Sequence, residues 1–453
     1  MKRTESFTQG PILLPLVRFA LPVLLALLLQ TMYGAVDLLV VGQFGEAADV
    51  SAVSTGSQLM QSITVVITGL AMGLTVLVGR KIGEGRRQEA GGIIASGMWL
   101  FGGLALAVSV AVMASARLLA RVMQAPPEAL EQTVAYIMIC SGGAVFIVAY
   151  NLIGSVFRGI GDSKMPLITV AIASALNVAG DLLLVAVLRM GTAGAAIATV
   201  FAQAVSVLLS MLLIRRRELP FTLSRRDIRP QGATIRAILR LGTPIALQDL
   251  LVSISFLVII AIVNGLGLIA SAGVGVAEKL CGFLMLVPSA YMQSMSAFVA
   301  QNIGAGRPDR ARKALLCGIA TSLAAGVLMG WATFFHGDAL AGLFAREGEV
   351  ILAAAEYLKA YAIDCVLTSF LFCFIGYFNG CGATTFVMLQ GIAGAFGVRV
   401  PVSWLMSRRT PVSLFHIGLA TPCSTMVQIV LCFVAFALLQ KKQEQPRATS
   451  QVG

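Results

Sequence analysis

Residues 165–188 read MPLITVAIASALNVAGDLLLVAVL, an almost unbroken apolar run in which Asp181 is the one formal charge. About twenty such residues, rising ~1.5 Å each in a helix, cross the ~30 Å hydrocarbon core of a bilayer. We therefore read the run as a transmembrane helix. The same pattern recurs along the whole chain, with apolar spans near 15–41, 53–79, 93–115, 133–156, 165–188, 192–214, 240–266, 279–302, 315–335, 357–378, 385–406 and 412–439.

Composition agrees with a chain whose solvent is largely lipid. Of 453 residues, 58% are hydrophobic and 12% charged, and mean hydropathy is +0.88, too little charge to coat a soluble protein of this length. The net charge of +12 does not indicate nucleic acid, because Lys and Arg collect in short links between spans instead of on one amphipathic face. Eight cysteines lie mostly inside apolar segments without Cys-x-x-Cys or His at ligand spacing, which argues against a disulfide framework or a zinc site. The first apolar stretch is too long for a removable signal peptide and lacks a small-residue cleavage site, so it is expected to stay.

Twelve spans put both termini on one side. Charged even-numbered links are basic: Arg80, Lys81, Arg86 and Arg87; Arg158 and Lys164; Arg215, Arg216 and Arg217 with Arg225, Arg226 and Arg229; Arg307, Arg310, Arg312 and Lys313. That side is cytoplasmic by the positive-inside rule, with Arg408 and Arg409 as the exception. The link 215–239, with Pro220 and Pro230, is the longest polar stretch and divides the spans into two groups of six. A constant offset of 221 residues aligns Val78-x-x-x-Ile82-Gly83-x-Gly85-Arg86 with Val299-x-x-x-Ile303-Gly304-x-Gly306-Arg307, and Phe157-x-Gly159-x-Gly161 with Phe378-x-Gly380-x-Gly382. The expected fold is an all-α integral membrane protein of 12 transmembrane helices, in two six-helix lobes related by pseudo-twofold symmetry along the membrane normal. Its parts are a first lobe 1–214, a cytoplasmic linker 215–239, a second lobe 240–440 and a polar cytoplasmic tail 441–453.

Ionisable residues inside spans cost ~2.5–3.5 kcal/mol on insertion scales, so each calls for an explanation. Asp37 lies about four residues from the outer end of the first span and Asp181 about seven from the outer end of the fifth, depths of roughly 6–10 Å. Asn177 is one turn from Asp181 on the same face, and Thr199 descends to a similar level in the sixth span. Two carboxylates, an amide and a hydroxyl in one layer can coordinate a dehydrated Na+ or hold a proton. Alternatively, each aspartate is neutral or bonded to backbone and merely fastens helices together. Pro22 kinks the first span fifteen residues before Asp37, as a hinge or as a static bend.

In the second half the ionisable residues counted inside spans are Asp249, Asp364 and Arg399. Asp364 and Arg399 reach comparable depths in the outer leaflet, which predicts a structural ion pair; Asp249 faces a cavity or snorkels. Met32, Phe146, Phe157, Met285 and Met292 fall within spans, where polarizable and aromatic groups suit flat cations or ordinary packing.

At these residues the sequence resembles the multidrug and toxic compound extrusion family over nearly its whole length. The carriers are Pro22 with Asp37 and Gly42, Gly83-Glu84-Gly85, Arg158-Gly159-Ile160-Gly161-Asp162 with Pro166, and Asn177-x-x-x-Asp181. Gly194-Ala195-Ala196-Ile197-Ala198-Thr199, Gln301-Asn302-Ile303-Gly304-Ala305-Gly306 and Arg399-Val400-Pro401 complete the set. The resemblance implies two lobes forming a V around a central cleft, and expulsion of cationic or amphipathic compounds against inward sodium or proton flow. In the branch with an acidic first helix, the coupling residues map to Asp37, Asn177, Asp181 and Thr199, with Gln30, Tyr33 and Asn151 as polar neighbours and Pro22 as the proline whose kink responds to protonation. A sister branch carries acidic residues in helices seven and ten, about one turn from Asp249 and Asp364. The 221 offset lands Asn177 and Asp181 on Val398 and Val402, so the second half holds no copy of the site.

The expectation is an efflux antiporter of the bacterial cytoplasmic membrane that works as a monomer by alternating access. Its coupling ion is H+ or Na+; no cofactor and no nucleic-acid partner are expected, only lipid and small organic cations or amphipathic compounds. A lipid-linked oligosaccharide flippase would line its cleft with several cationic residues, and few basic residues sit mid-span here. A membrane-embedded enzyme would need His or paired carboxylates at a polar face, and the chain's two His lie toward outer links.

Overall fold

The computed structural model describes residues 7–215, 221 and 229–444. Arg216, Arg217, Pro220, Arg225 and Arg226 of the expected linker, and residues 445–453 of the expected tail, lie outside the described residues. All regular structure among the described residues is helical. The first half comprises α1 (Leu13–Phe44), α2 (Ala47–Gly83), α3 (Arg87–Val122), α4 (Leu130–Gly142), α5 (Ala144–Ile160), α6 (Lys164–Asp181) and α7 (Gly191–Arg215). The second comprises α8 (Gly232–Asn264), α9 (Leu268–Leu284), α10 (Leu286–Gly304), α11 (Pro308–Phe335), the short α12 (Gly337–Ala341) and α13 (Gly348–Cys381). It ends with α14 (Thr384–Gly394), α15 (Val400–Ser407), α16 (Leu414–Gly418) and α17 (Ala420–Glu444).

Among the described residues, eleven helices are long and apolar enough to cross a membrane, and twelve when α4 and α5 count as one span bent by 50°. The bend falls at Ser141-Gly142-Gly143, residues with weak hold on helical geometry, where the Gly143 backbone lies against the Val200 side chain. Helices overrun the apolar windows because polar residues extend them. At the start of α2, the Glu46 amide donates to Asp49 Oδ2 at 3.1 Å in a capping box, so the helix begins well before the first apolar residue counted. The other oxygen of Asp49 accepts from the Thr192 amide (3.0 Å) and hydroxyl (2.6 Å), tying the start of α7 to the start of α2.

Two compact units emerge. The first contains Met1–Leu250, Gln293–Ala314 and Asn379–Thr384, and its core includes Ile67, Leu74, Phe101, Val148 and Ile238. The second contains Leu251–Met292, Leu315–Phe378 and Thr385–Gly453, with Tyr357, Leu358, Ile259, Val274 and Ile417 at its centre. Large apolar side chains also face outward: Leu106, Leu118, Val122 and Val187 are 63–70% exposed, as a lipid-contacting surface requires.

The sequence repeat reappears in the backbone. Gly85 and Gly306 take left-handed φ of 74° and 68°, and Gly161 and Gly382 take 88° and 80°, so equivalent turns close equivalent helices. Within the first unit the repeated segments interlock. Gly83 packs its bare Cα on the Gln301 backbone and Gly304 packs on that of Arg80, approaches that any Cβ would block. Gln301 Nε2 then donates to the Gly159 carbonyl at 2.8 Å, and Arg80 Nη2 to the Cys381 carbonyl at 3.1 Å, capping the ends of α5 and α13. Residues 7–11 wrap the Arg310 guanidinium, which donates to the carbonyls of Phe7 (2.9 Å), Gly10 (2.7 Å), Gln9 (3.0 Å) and Pro11 (3.1 Å). The buried Phe7 ring meets Phe19 and Phe298 at 5.1 and 4.8 Å between centroids.

Candidate functional site

Three helices of the first unit converge on the carboxylate layer. α1 brings Asp37, α6 brings Asn177 and Asp181, and α7 brings Thr199. Asp37, Asn177 and Asp181 are 5%, 1% and 0% exposed, whereas Thr199 is half-buried. Asn177 Nδ2 donates to Thr199 Oγ1 at 3.3 Å, and Thr199 Oγ1 donates to Asp37 Oδ2 at 3.2 Å. The Asp181 carboxyl faces that of Asp37 within hydrogen-bonding reach. Sequence depth therefore brings together all four side chains that it selected.

The donor chain runs one way, from amide to hydroxyl to carboxylate, and leaves acceptors behind. Asp37 Oδ1, Asn177 Oδ1 and both oxygens of Asp181 are buried without a donor among the described residues. Ionised carboxylates accept only, and a buried acceptor without a partner costs roughly 1–3 kcal/mol. Four such oxygens on neighbouring side chains suit a cation, whether a proton shared by the facing carboxyls or a hard ion that takes oxygen ligands. Asp181 ends the regular part of α6, and the following turn, Leu182–Val187, is π-helical. Such widened turns are frequent at functional sites, and nothing in the apolar periodicity marked this one.

The polar neighbours meet partners that sequence reading did not name. Gln30 Nε2 donates to the Tyr150 hydroxyl oxygen at 2.8 Å, and Gln203 Nε2 to that of Tyr33 at 3.4 Å. Thr68 Oγ1 donates to Asn151 Oδ1 at 3.1 Å, while Asn151 Nδ2 donates to the Ile147 carbonyl at 2.9 Å. Gln30, Tyr33, Tyr150 and Asn151 remain half accessible. Inside a span the cost of turning polar groups to hydrocarbon favours placing them toward a bundle interior or a water-filled cavity. Pro22 is buried inside α1, which continues helically through it.

In the second unit the expected Asp364–Arg399 contact is not formed. Arg399 ends the π-helical turn Ala395–Arg399, and the extra residue per turn rotates its side chain elsewhere. Its Nη1 donates to Ser255 Oγ at 3.0 Å, and its guanidinium lies 4.3 Å from the Phe256 ring centroid. Asp364 keeps a buried oxygen without a donor and feels Arg399 only at longer range. The count of ionisable residues also omitted Glu278, which accepts from the Tyr357 hydroxyl at 3.2 Å and sits in the same field as Arg399. It lies on α9 one residue before the apolar window of the eighth span, where the pair Glu278-Lys279 resembles a helix edge. Asp249 is half-buried on α8.

Comparison with known proteins gives a consistent result. A model of the MatE family matches residues 22–183 and again 244–405, two copies at nearly the spacing of the sequence repeat. The chain is 27% identical over 406 residues to a probable multidrug resistance protein, YpnP, of Bacillus subtilis, covering 89% of this chain and 91% of that one. It is 25% identical to the multidrug export protein MepA of Staphylococcus saprophyticus, covering 88% of each. It is 27% identical to an FAD transporter of Shewanella oneidensis, covering 80% of each. Among solved structures, the outward-facing conformation of a multidrug resistance MATE family transporter superposes with a TM-score of 0.92 at 20% identity, over 98% of this chain and 100% of that one.

Proposed function

The chain belongs to the MatE family, a family of transporters rather than enzymes, and from that premise we propose that it is a secondary antiporter exporting cationic or amphipathic organic compounds in exchange for inward H+ or Na+. The observation that carries this proposal is the pocket of Asp37, Asn177, Asp181 and Thr199, whose internal donors are spent on one another and which leaves a cation four buried oxygens, on Asp37, Asn177 and Asp181, without donors among the described residues. Relatives named for multidrug resistance, multidrug export and FAD transport support an amphipathic organic substrate. The ion and the substrate favour opposite-facing states, and that difference in affinity drives export. A cation entering from outside neutralises the pocket and releases a cationic substrate; its departure inside resets the carboxylates.

The moving bodies are the lobes 1–214 and 240–440, joined by the linker 215–239, in the bacterial cytoplasmic membrane with both termini inside. One chain supplies all four pocket side chains, which supports function as a monomer. The test is efflux of a fluorescent cationic dye from proteoliposomes under separately imposed proton and sodium gradients. One gradient is expected to drive the wild type, and Asp181→Asn, though folded, to lose about tenfold or more of that rate. Undiminished efflux by Asp181→Asn would remove the pocket from the mechanism.

A further inference from the structure

Arg158 stands in the last turn of α5, two residues before its end at Ile160. Its long stem would let the charge snorkel out past that end. It does the opposite. The guanidinium lies back along the helix beside Gly154, with Nη1 3.3 Å from where a Cβ on that glycine would stand. The helical Cα–Cβ bond already tilts toward the N-terminus, and the bare Gly154 lets the whole group lie down in that direction, into the span.

There the guanidinium finds no acceptor. A guanidinium carries five N–H donors, yet among the described residues none of Arg158's makes a hydrogen bond or ion pair, and Nε is buried without a partner. The acid nearest in sequence, Asp162, turns away: its Oδ1 accepts from the amides of Lys164 (3.0 Å) and Met165 (3.2 Å) at the start of α6. Arg158 is half-buried and within electrostatic range of Tyr150. The Tyr150 oxygen accepts from Gln30, and its own proton goes to no acceptor among the described residues. The scaffold does not call for this charge, because the 221-residue repeat puts Asn379 and Ile375 at the positions of Arg158 and Gly154. Both the cation and its seat belong to the first half alone.

We propose that Arg158, seated over Gly154 and joined by the Tyr150 hydroxyl, binds an oxyanion, a carboxylate or phosphoryl group, of the transported amphipathic compound. This rests on the reading that the half-accessible polar face of the first half lines the substrate route. Asp37 and Asp181 provide negative charge further along the same lobe, so the lobe suits a compound bearing both signs. A half-buried guanidinium inside a span gains most from a planar or bidentate oxyanion, where Lys offers only a point charge.

The experiment uses the full-length chain in phosphatidylcholine nanodiscs and two fluorescent probes, rhodamine B, with its free carboxylate, and its ethyl ester, the same fluorophore without that charge. Fluorescence anisotropy titrations give the acid-to-ester affinity ratio without any ion gradient. We expect that ratio to fall about tenfold in Arg158→Gln through weaker binding of the acid, while binding of the cationic ester persists and reports that the variant is folded. Gly154→Ala keeps the charge but fills its seat, and should lower the ratio in the same direction. A wild-type ratio in both variants overturns the proposal. Loss of the wild-type ratio when phosphatidylglycerol is added would assign the site to a lipid headgroup and overturn its role in substrate binding. Because no gradient is applied, failure of ion coupling in proteoliposomes and failure here remain distinguishable.

Discussion

Thr199 is the pivot of the carboxylate pocket, accepting from Asn177 and donating to Asp37. Thr199→Val removes both bonds and should slow gradient-driven dye efflux about tenfold, while Thr199→Ser keeps most of the rate; equal rates in the two variants would show the hydroxyl to be dispensable. The four pocket residues were legible in sequence because a carboxylate in an apolar span stands out and helical rise fixes its depth. Tyr150, Gln203 and Thr68 were not, since uncharged hydroxyls and amides cost little in a span and give no contrast. Arg399 shows where counting by depth fails, because depth says nothing of azimuth and a π turn changes it. A double-mutant cycle on thermal stability should find a coupling of ~0.5 kcal/mol or less between Asp364→Asn and Arg399→Gln, and a larger one between Ser255→Ala and Arg399→Gln. The reverse ranking would restore the direct ion pair.

At the scale of elements, the apolar windows located every span but not its ends or its breaks. Caps lengthen α2 beyond its apolar stretch, and the Gly142-Gly143 pair divides the fourth span into α4 and α5 although both sides remain apolar. Residues 7–11 offered no helical or strand periodicity, and their order comes from Arg310 and from the Phe7 ring. Arg310→Ala should therefore speed amide hydrogen exchange in residues 7–19 while leaving α6 and α7 unchanged, read by mass spectrometry. Gly83→Ala and Gly304→Ala force a Cβ into backbone and should each destabilise by about 1–3 kcal/mol, lowering the thermal midpoint in detergent. A midpoint unmoved in both variants would mean that α2 and α10 separate at no cost.

For the molecule as a whole, 453 residues carry a net charge of +12 concentrated in the links on one side of the spans. By that bias a fluorescent protein fused after Gly453 should fold and fluoresce in the cytoplasm, whereas an alkaline phosphatase fused there should be inactive; active phosphatase would invert the topology. The duplicated plan was legible because glycine turns recur at a fixed offset, and the backbone repeats their left-handed conformations. The functional difference between halves was legible only in part. Val398 and Val402 announced the missing carboxylate layer, but no periodicity announced Glu278 or the unpaired Arg158.

The contacts of Gly83 with Gln301 and Gly304 with Arg80 also carry a history. Positions 80 and 301 are one position of the repeat, and each reaches into the end of a helix in the opposite half. If the two halves descend from one gene, their ancestor was a parallel homodimer in which a single residue made this crossing twice, and fusion freed the copies to become Arg and Gln. A chain severed within residues 216–228 would then behave as an obligate heterodimer, each fragment needing the other to finish its helix ends.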